Sequence, residues 1–146
     1  MDKKSIYIIG GIFILFYFMI FFKSPSEIPT DVRADIWDTS YEIMVEVLVD
    51  SSPYEPLNED TYEAFNTFVD SYSAEATVND PLTENEKEIL YHIKGLVYHA
   101  QQFRTLYQEC GDCFTDAANE QLNKMVEAEF ELLRIYNINA VDFYEQ

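Results

Sequence analysis

Two cysteines, two histidines and a stripe of carboxylates are the residues of this sequence whose spacing could support chemistry. Cys110 and Cys113 sit in Glu109-Cys110-Gly111-Asp112-Cys113-Phe114, and the chain has no other cysteine. A C-x-x-C pair can exchange disulfides, supply half of a zinc site, or close a small ring that staples a turn. A structural zinc site needs four ligands. The only histidines are His92 and His99. On one helix they stand two turns, about 10 Å, apart along the axis, too far to share an ion. No metal is therefore expected, and the two imidazoles read as amphipathic fillers at the edge of a core. Asp31, Asp35, Asp38 and Glu42 recur at helical spacing. Calcium loops alternate ligands around a glycine turn, and none is present, so this stripe reads as a solvated helix face. The spacing supports neither a Ser-His-Asp arrangement nor a glycine-rich phosphate loop.

Redox chemistry at the cysteines needs a reactive thiolate. Cys113 lies near a helix start, which lowers a thiol pKa, while Glu109, Asp112 and Asp116 raise it by repulsion. Thioredoxin-like proteins carry the motif in a βαβ setting, which is missing here. Small helical flavin-dependent thiol oxidases are a nearer analogy, but they clamp the flavin with Trp, His and Asn. The single tryptophan, Trp37, is far upstream, and no His-Asn cluster follows the cysteines. The expected role of Cys110 and Cys113 is a candidate disulfide in a turn, with no catalytic residue and no cofactor.

Four helical segments position these residues. The first is expected over 31–50, capped by Thr30, with Val32, Ile36, Trp37, Ser40, Ile43, Met44, Val47 and Leu48 on one broad face. Ser51-Ser52-Pro53-Tyr54-Glu55-Pro56 breaks it. The second is expected over 58–75, capped by Asn58, with a stripe of Tyr62, Phe65, Val69 and Tyr72. The third opens on a capping box, Thr83-Glu84-Asn85-Glu86. It carries Ile89, Ile93, Leu96, Ala100, Phe103 and Tyr107 inward and stops at Gly111. Gly95, midway, would let a neighbour approach closely. The fourth is expected from Thr115-Asp116 to near Asn137, with Ala118, Leu122, Met125, Val126, Leu133 and Tyr136 as its stripe. The fold class is all-α: a small antiparallel bundle of about four helices, preceded by a single transmembrane helix.

That transmembrane helix is expected at Ile6 to Phe22, "IYIIGGIFILFYFMIFF", which is uncharged and flanked by Lys3, Lys4 and Lys23. Its seventeen residues rise about 25 Å, just enough for a hydrocarbon core. A cleaved signal peptide and a buried core helix of a soluble protein are the rivals, but the run is long, ends in bulky Phe21-Phe22 rather than small residues, and has no polar face to show to water. The domain layout is then a membrane anchor at 1–23 (Ile6, Phe13, Phe16 and Phe22 among its residues), a Pro-containing spacer at 24–30 and an acidic helical domain at 31–146.

Charge narrows the partners. The chain carries a net charge of −18, and from Ser24 onward it has 26 acidic and six basic residues. Such a surface repels phosphate backbones, so nucleic acid is not expected; it suits a basic protein face, and equally it serves simply to keep the domain soluble. The anchor, the spacer and a compact acidic domain with eleven Tyr and eleven Phe in the chain together resemble the small membrane-anchored minor capsid proteins of large icosahedral DNA viruses. That resemblance implies a non-enzymatic structural protein at an internal virion membrane, linking it to a capsid or scaffold protein. Membrane lipid and one basic protein are the expected partners. Asp35, Trp37, Asp38, Glu42, Tyr54 and Tyr72 are the candidate contacts. The alternatives are a membrane-tethered thiol-disulfide oxidoreductase using Cys110 and Cys113, and a membrane-tethered adaptor of an ordinary cell.

Overall fold

A computed structural model describes residues 27–49, 55–111 and 114–138. These form four helices and turns, with no strand among the described residues: α1 (Ala34–Val49), α2 (Glu59–Ser71), α3 (Glu84–Glu109) and α4 (Asp116–Ile135). The anchor residues Ile6, Phe13, Phe16 and Phe22, together with Tyr54 and Cys113, lie outside the described residues. Among the described residues no helix is long and apolar enough to cross a membrane.

Cross-helix contacts set the topology. His99 meets Gln121 and Glu88 meets Arg134, so residue numbers rise on α3 as they fall on α4, and the two are antiparallel. Arg33 meets Glu86 and Arg104 meets the Val47 carbonyl, so α1 runs parallel to α3. Leu57 bonds Gln101 while Tyr72 bonds Asp35, which sets α2 antiparallel to both. The result is an up-down-up-down bundle.

Local chemistry explains three of the four helix starts. Asn58 accepts the Asp60 N–H, Thr115 accepts the Ala118 N–H, and Thr83 forms a reciprocal box with Glu86. Each supplies an acceptor to an otherwise orphaned donor. The fourth start differs from expectation. Thr30 lies in a turn closed by Val32 N–H to the Pro29 carbonyl (3.0 Å), and α1 begins three residues after Asp31. Its cap position is Arg33, whose carbonyl accepts the Trp37 N–H (3.1 Å) and whose own N–H is bonded by Glu86 Oε1 (2.9 Å). A side chain from α3, remote in sequence, thus does the work that Thr30 was expected to do.

The helix ends follow backbone chirality. Gly111 stops α3 at φ +73°, a conformation that costs a side-chain-bearing residue energy. Asn137, at φ +55°, stops α4, and the Ile138 N–H reaches back to the Leu133 carbonyl (2.8 Å). That is a Schellman-type closure built on asparagine.

The core is a single cluster drawn from all four helices. At one end Trp37 and Tyr41 pack edge-on against Tyr136, with ring centroids 4.7 and 5.2 Å apart. The Tyr136 hydroxyl bonds Ser40 Oγ at 2.6 Å, which satisfies two buried polar groups at once. Burial pushes the Tyr136 phenol pKa far up, so it stays protonated. The Tyr41 hydroxyl is buried and has no hydrogen-bond partner among the described residues.

Two expected stripes shift in phase. On α2 the buried residues are Thr61, Phe65 and Phe68, whereas Tyr62 is exposed. On α4 Ala118 and Leu133 are buried as expected, and so is Tyr136 at its C-cap, but Leu122, Met125 and Val126 are only half-buried, and Ala128, Glu129 and Leu132 take the centre. Trp37 is 1% exposed. It holds the core together and has no surface to offer, which removes it from the candidate contacts.

Candidate functional site

The helix pair α3–α4, flanked by α2, encloses a groove of about 930 Å³. Its floor is Gly95 on α3 opposite Ala128 on α4. A Cβ built on Gly95 would stand 3.6 Å from the Ala128 Cβ, an ordinary contact. Gly95 is therefore not forced by helix proximity, as sequence reasoning suggested; its missing side chain leaves the groove deeper. Aromatic rings rise along the walls. Tyr91 is 74% and Tyr98 58% exposed, one heptad apart on α3, and Tyr62 faces them from α2. Rings this exposed offer stacking and apolar area together with a hydroxyl handle.

Charged groups sit at both ends. His99 Nδ1 is 2.7 Å from Gln121 Oε1, and nearby Lys124 pairs with Glu120 at 2.6 Å. The other end holds His92 and Glu131, with Glu88 beside them, one donor atom from each of the three lying within 4.8 Å of the others. Arg134 bridges the two carboxylates, Nη2 to Glu88 Oε1 and Nε to Glu131 Oε2, both at 2.7 Å. The hydrogen bond from Arg134, and then its charge, hold the Glu131 carboxyl below its ordinary pKa. The lining includes no serine, threonine or cysteine. The groove is equipped to bind through rings, imidazoles and ion pairs, and it has no hydroxyl or thiol nucleophile of the kind acyl transfer uses.

A second polar centre joins α1 to α3. Glu86, only 2% exposed, accepts the Arg33 backbone N–H (2.9 Å), Arg33 Nε (2.9 Å), Arg33 Nη2 (3.0 Å) and the Thr83 N–H (2.9 Å). Burial alone would raise the Glu86 pKa; the bonds from Arg33 and Thr83 outweigh it and lower it. All the acceptor capacity is committed to holding helices together, so this carboxylate has a structural role.

The residues expected to make contacts separate in space. Asp35 accepts the Tyr72 hydroxyl, tying α1 to α2. Burial first, then Asp35, push the Tyr72 phenol up to about 12. Asp38 and Glu42 are exposed on α1. Cys110 occupies the C-cap of α3 and is disulfide-bonded. The carbonyl end of the helix dipole disfavours a thiolate at that position. Phe114 folds back over Phe103 and Tyr107, centroids 6.0 and 5.2 Å away, so aromatic packing ties the residue before the α4 cap to the end of α3. Sequence reasoning compared His92 only with His99, along one helix. It missed Glu88, Glu131 and Arg134; the available signal was Glu88 four residues before His92, but Glu131 needs the register of α4.

No protein family, no curated protein and no solved structure matches this chain.

Proposed function

We propose that the chain is a non-enzymatic structural protein, held in a membrane by residues 6–22, whose helical domain docks a protein partner. The observation that carries this reading is the division of labour among its polar groups. Three of the buried ones, Glu86, Ser40 and Tyr136, are occupied in joining helices, while large rings and carboxylates are left for solvent. Asp38 and Glu42 on α1, in a chain of net charge −18, suit a basic partner surface. In its most specific form the reading is a minor capsid protein that links an internal virion membrane to a protein shell. The uncharged run "IYIIGGIFILFYFMIFF" and the acidic helical domain behind it support that form.

Alkaline carbonate washing of membranes that contain the full chain tests the anchor. Retention in the membrane pellet is expected, and release into the supernatant refutes it. The acidic contact is tested by raising salt on the native complex. Screening within a Debye length of about 10 Å at 0.1 M should release the partner progressively, and binding indifferent to salt refutes a charge-based dock.

A further inference from the structure

The donors at the head of the groove exceed what their contacts use. Arg134 engages one oxygen of Glu88 and one of Glu131; the second oxygen of each accepts no hydrogen bond among the described residues. The His92 ring meets Tyr91 edge-on at 5.1 Å and has no hydrogen-bond partner there, in contrast to His99, which is engaged by Gln121. All three ligand-bearing residues are half-buried, so a bound ion would lose part of its water to them.

We propose that Glu88, His92 and Glu131 form a binding site for a divalent transition metal of the zinc type. Two carboxylate oxygens and one imidazole nitrogen are the ligands, and one coordination position remains for water or for a partner's side chain. The backbone builds this set. Glu88 and His92 are one turn apart on the same face of α3, and the antiparallel register brings Glu131 opposite them. The donor chemistry selects the metal: calcium and magnesium take oxygen ligands, whereas an imidazole beside carboxylates suits zinc. Zinc bonds of about 2.0–2.2 Å require the three donors to close together slightly from their present 4.8 Å limit. Rotation of the two glutamate side chains supplies that movement.

Arg134 is the competitor. Its guanidinium presents a positive charge to the same two carboxylates, but its side chain is 61% exposed. Ion pairs this exposed are individually weak, and the side chain can swing into solvent when the ion enters. The site then exchanges a monovalent organic cation for a divalent one, and its affinity is set by that competition. This inference does not depend on the anchor or on a basic partner.

The test is calorimetric titration of Zn²⁺ into the metal-stripped full chain in detergent micelles, with Co²⁺ as a spectroscopic probe. One saturable site per chain is expected, with visible Co²⁺ bands of the intensity given by low-coordinate N/O ligation. His92→Ala and, independently, Glu131→Gln should each weaken binding by roughly a hundredfold, since even a supporting residue around a metal costs about 10–100-fold. Arg134→Gln should tighten it by about tenfold, and Asp38→Asn, remote on α1, should leave it unchanged; circular dichroism verifies that each variant is helical. The proposal is overturned by the absence of saturable binding or by equal affinity in His92→Ala and the parent. It is also overturned by an Arg134→Gln variant that binds no tighter, or by an Asp38→Asn loss equal to that of His92→Ala, which would mark diffuse attraction to a chain of charge −18.

Discussion

Replacing Glu86 by glutamine keeps the shape of the side chain and removes its charge, which makes it the sharpest probe of how α1 is attached. In the parent each carboxylate oxygen accepts two donors: Oε1 takes Arg33 N and Nε, and Oε2 takes Arg33 Nη2 and Thr83 N. An amide can turn its oxygen to one pair only, and its NH₂ then confronts the other two donors. Two charge-assisted bonds are lost at about 1.5–3 kcal/mol each. The Arg33 side chain is 30% exposed, so water recovers part of the loss, and about 3 kcal/mol remains. For a domain of this size that lowers Tm by roughly 10 °C. The comparison variant is Asp80→Asn. Asp80 also pairs with Arg33, at 2.7 Å, but is 77% exposed, so its loss should cost no more than about 0.5 kcal/mol. Thermal unfolding of the full chain, followed by circular dichroism, separates the two. The pH dependence has a definite sign. The folded Glu86 pKa is depressed below its ordinary value of 4.5, so its contribution is complete above that value and is lost as pH falls through the folded pKa. The Tm gap between parent and Glu86→Gln should therefore narrow in acid. A gap that persists unchanged in strong acid, or one no larger than that of Asp80→Asn, refutes the clamp as the attachment.

Three further outcomes are expected. Tyr41→Phe should leave stability unchanged or raise it by about 1 kcal/mol in denaturant titration, because it removes a buried hydroxyl that has no partner among the described residues. The two glycines should respond in opposite directions: Gly95→Ala gains about 0.5–1 kcal/mol from helix propensity and meets only an ordinary 3.6 Å contact, while Gly111→Ala at φ +73° loses about 1 kcal/mol. In alkali the Tyr72 phenol, raised from an ordinary 10.0 to about 12, makes stability hold below the lower value and fall as pH climbs toward the higher; ultraviolet titration of Tyr72→Phe should lose one late-ionising tyrosine.

What could be read from the sequence was what is decided within a few residues. The Asn58, Thr83 and Thr115 caps and the Gly111 stop depend on a side chain and the turn beside it, and they lie where expected. The start of α1 was misread because Glu86, 53 residues away, caps it in place of Thr30. The phase of α2 was misread because Phe68 and Tyr62 compete for burial, and only packing against α1 and α3 decides between them. Trp37 was expected both on an apolar face and at a contact, and the core took it. The groove could be read only in fragments, Gly95 and the Glu88–His92 spacing: its floor needs Gly95 opposite Ala128, and its acidic head needs Glu131 opposite His92. Both are facts of helix register, which no single segment encodes.

The Arg33–Glu86 clamp also determines how the domain responds to pulling. Arg33 is the last residue before α1, so tension arriving along the chain from the N-terminal side meets the clamp before it meets the helix. Glu86 lies in the first turn of α3, the longest of the four described helices. Load is therefore passed sideways into the centre of the bundle, and α1 is not peeled off turn by turn. Rupture requires several short polar bonds to fail together, which makes the domain a stiff grip on whatever tether its first residues provide.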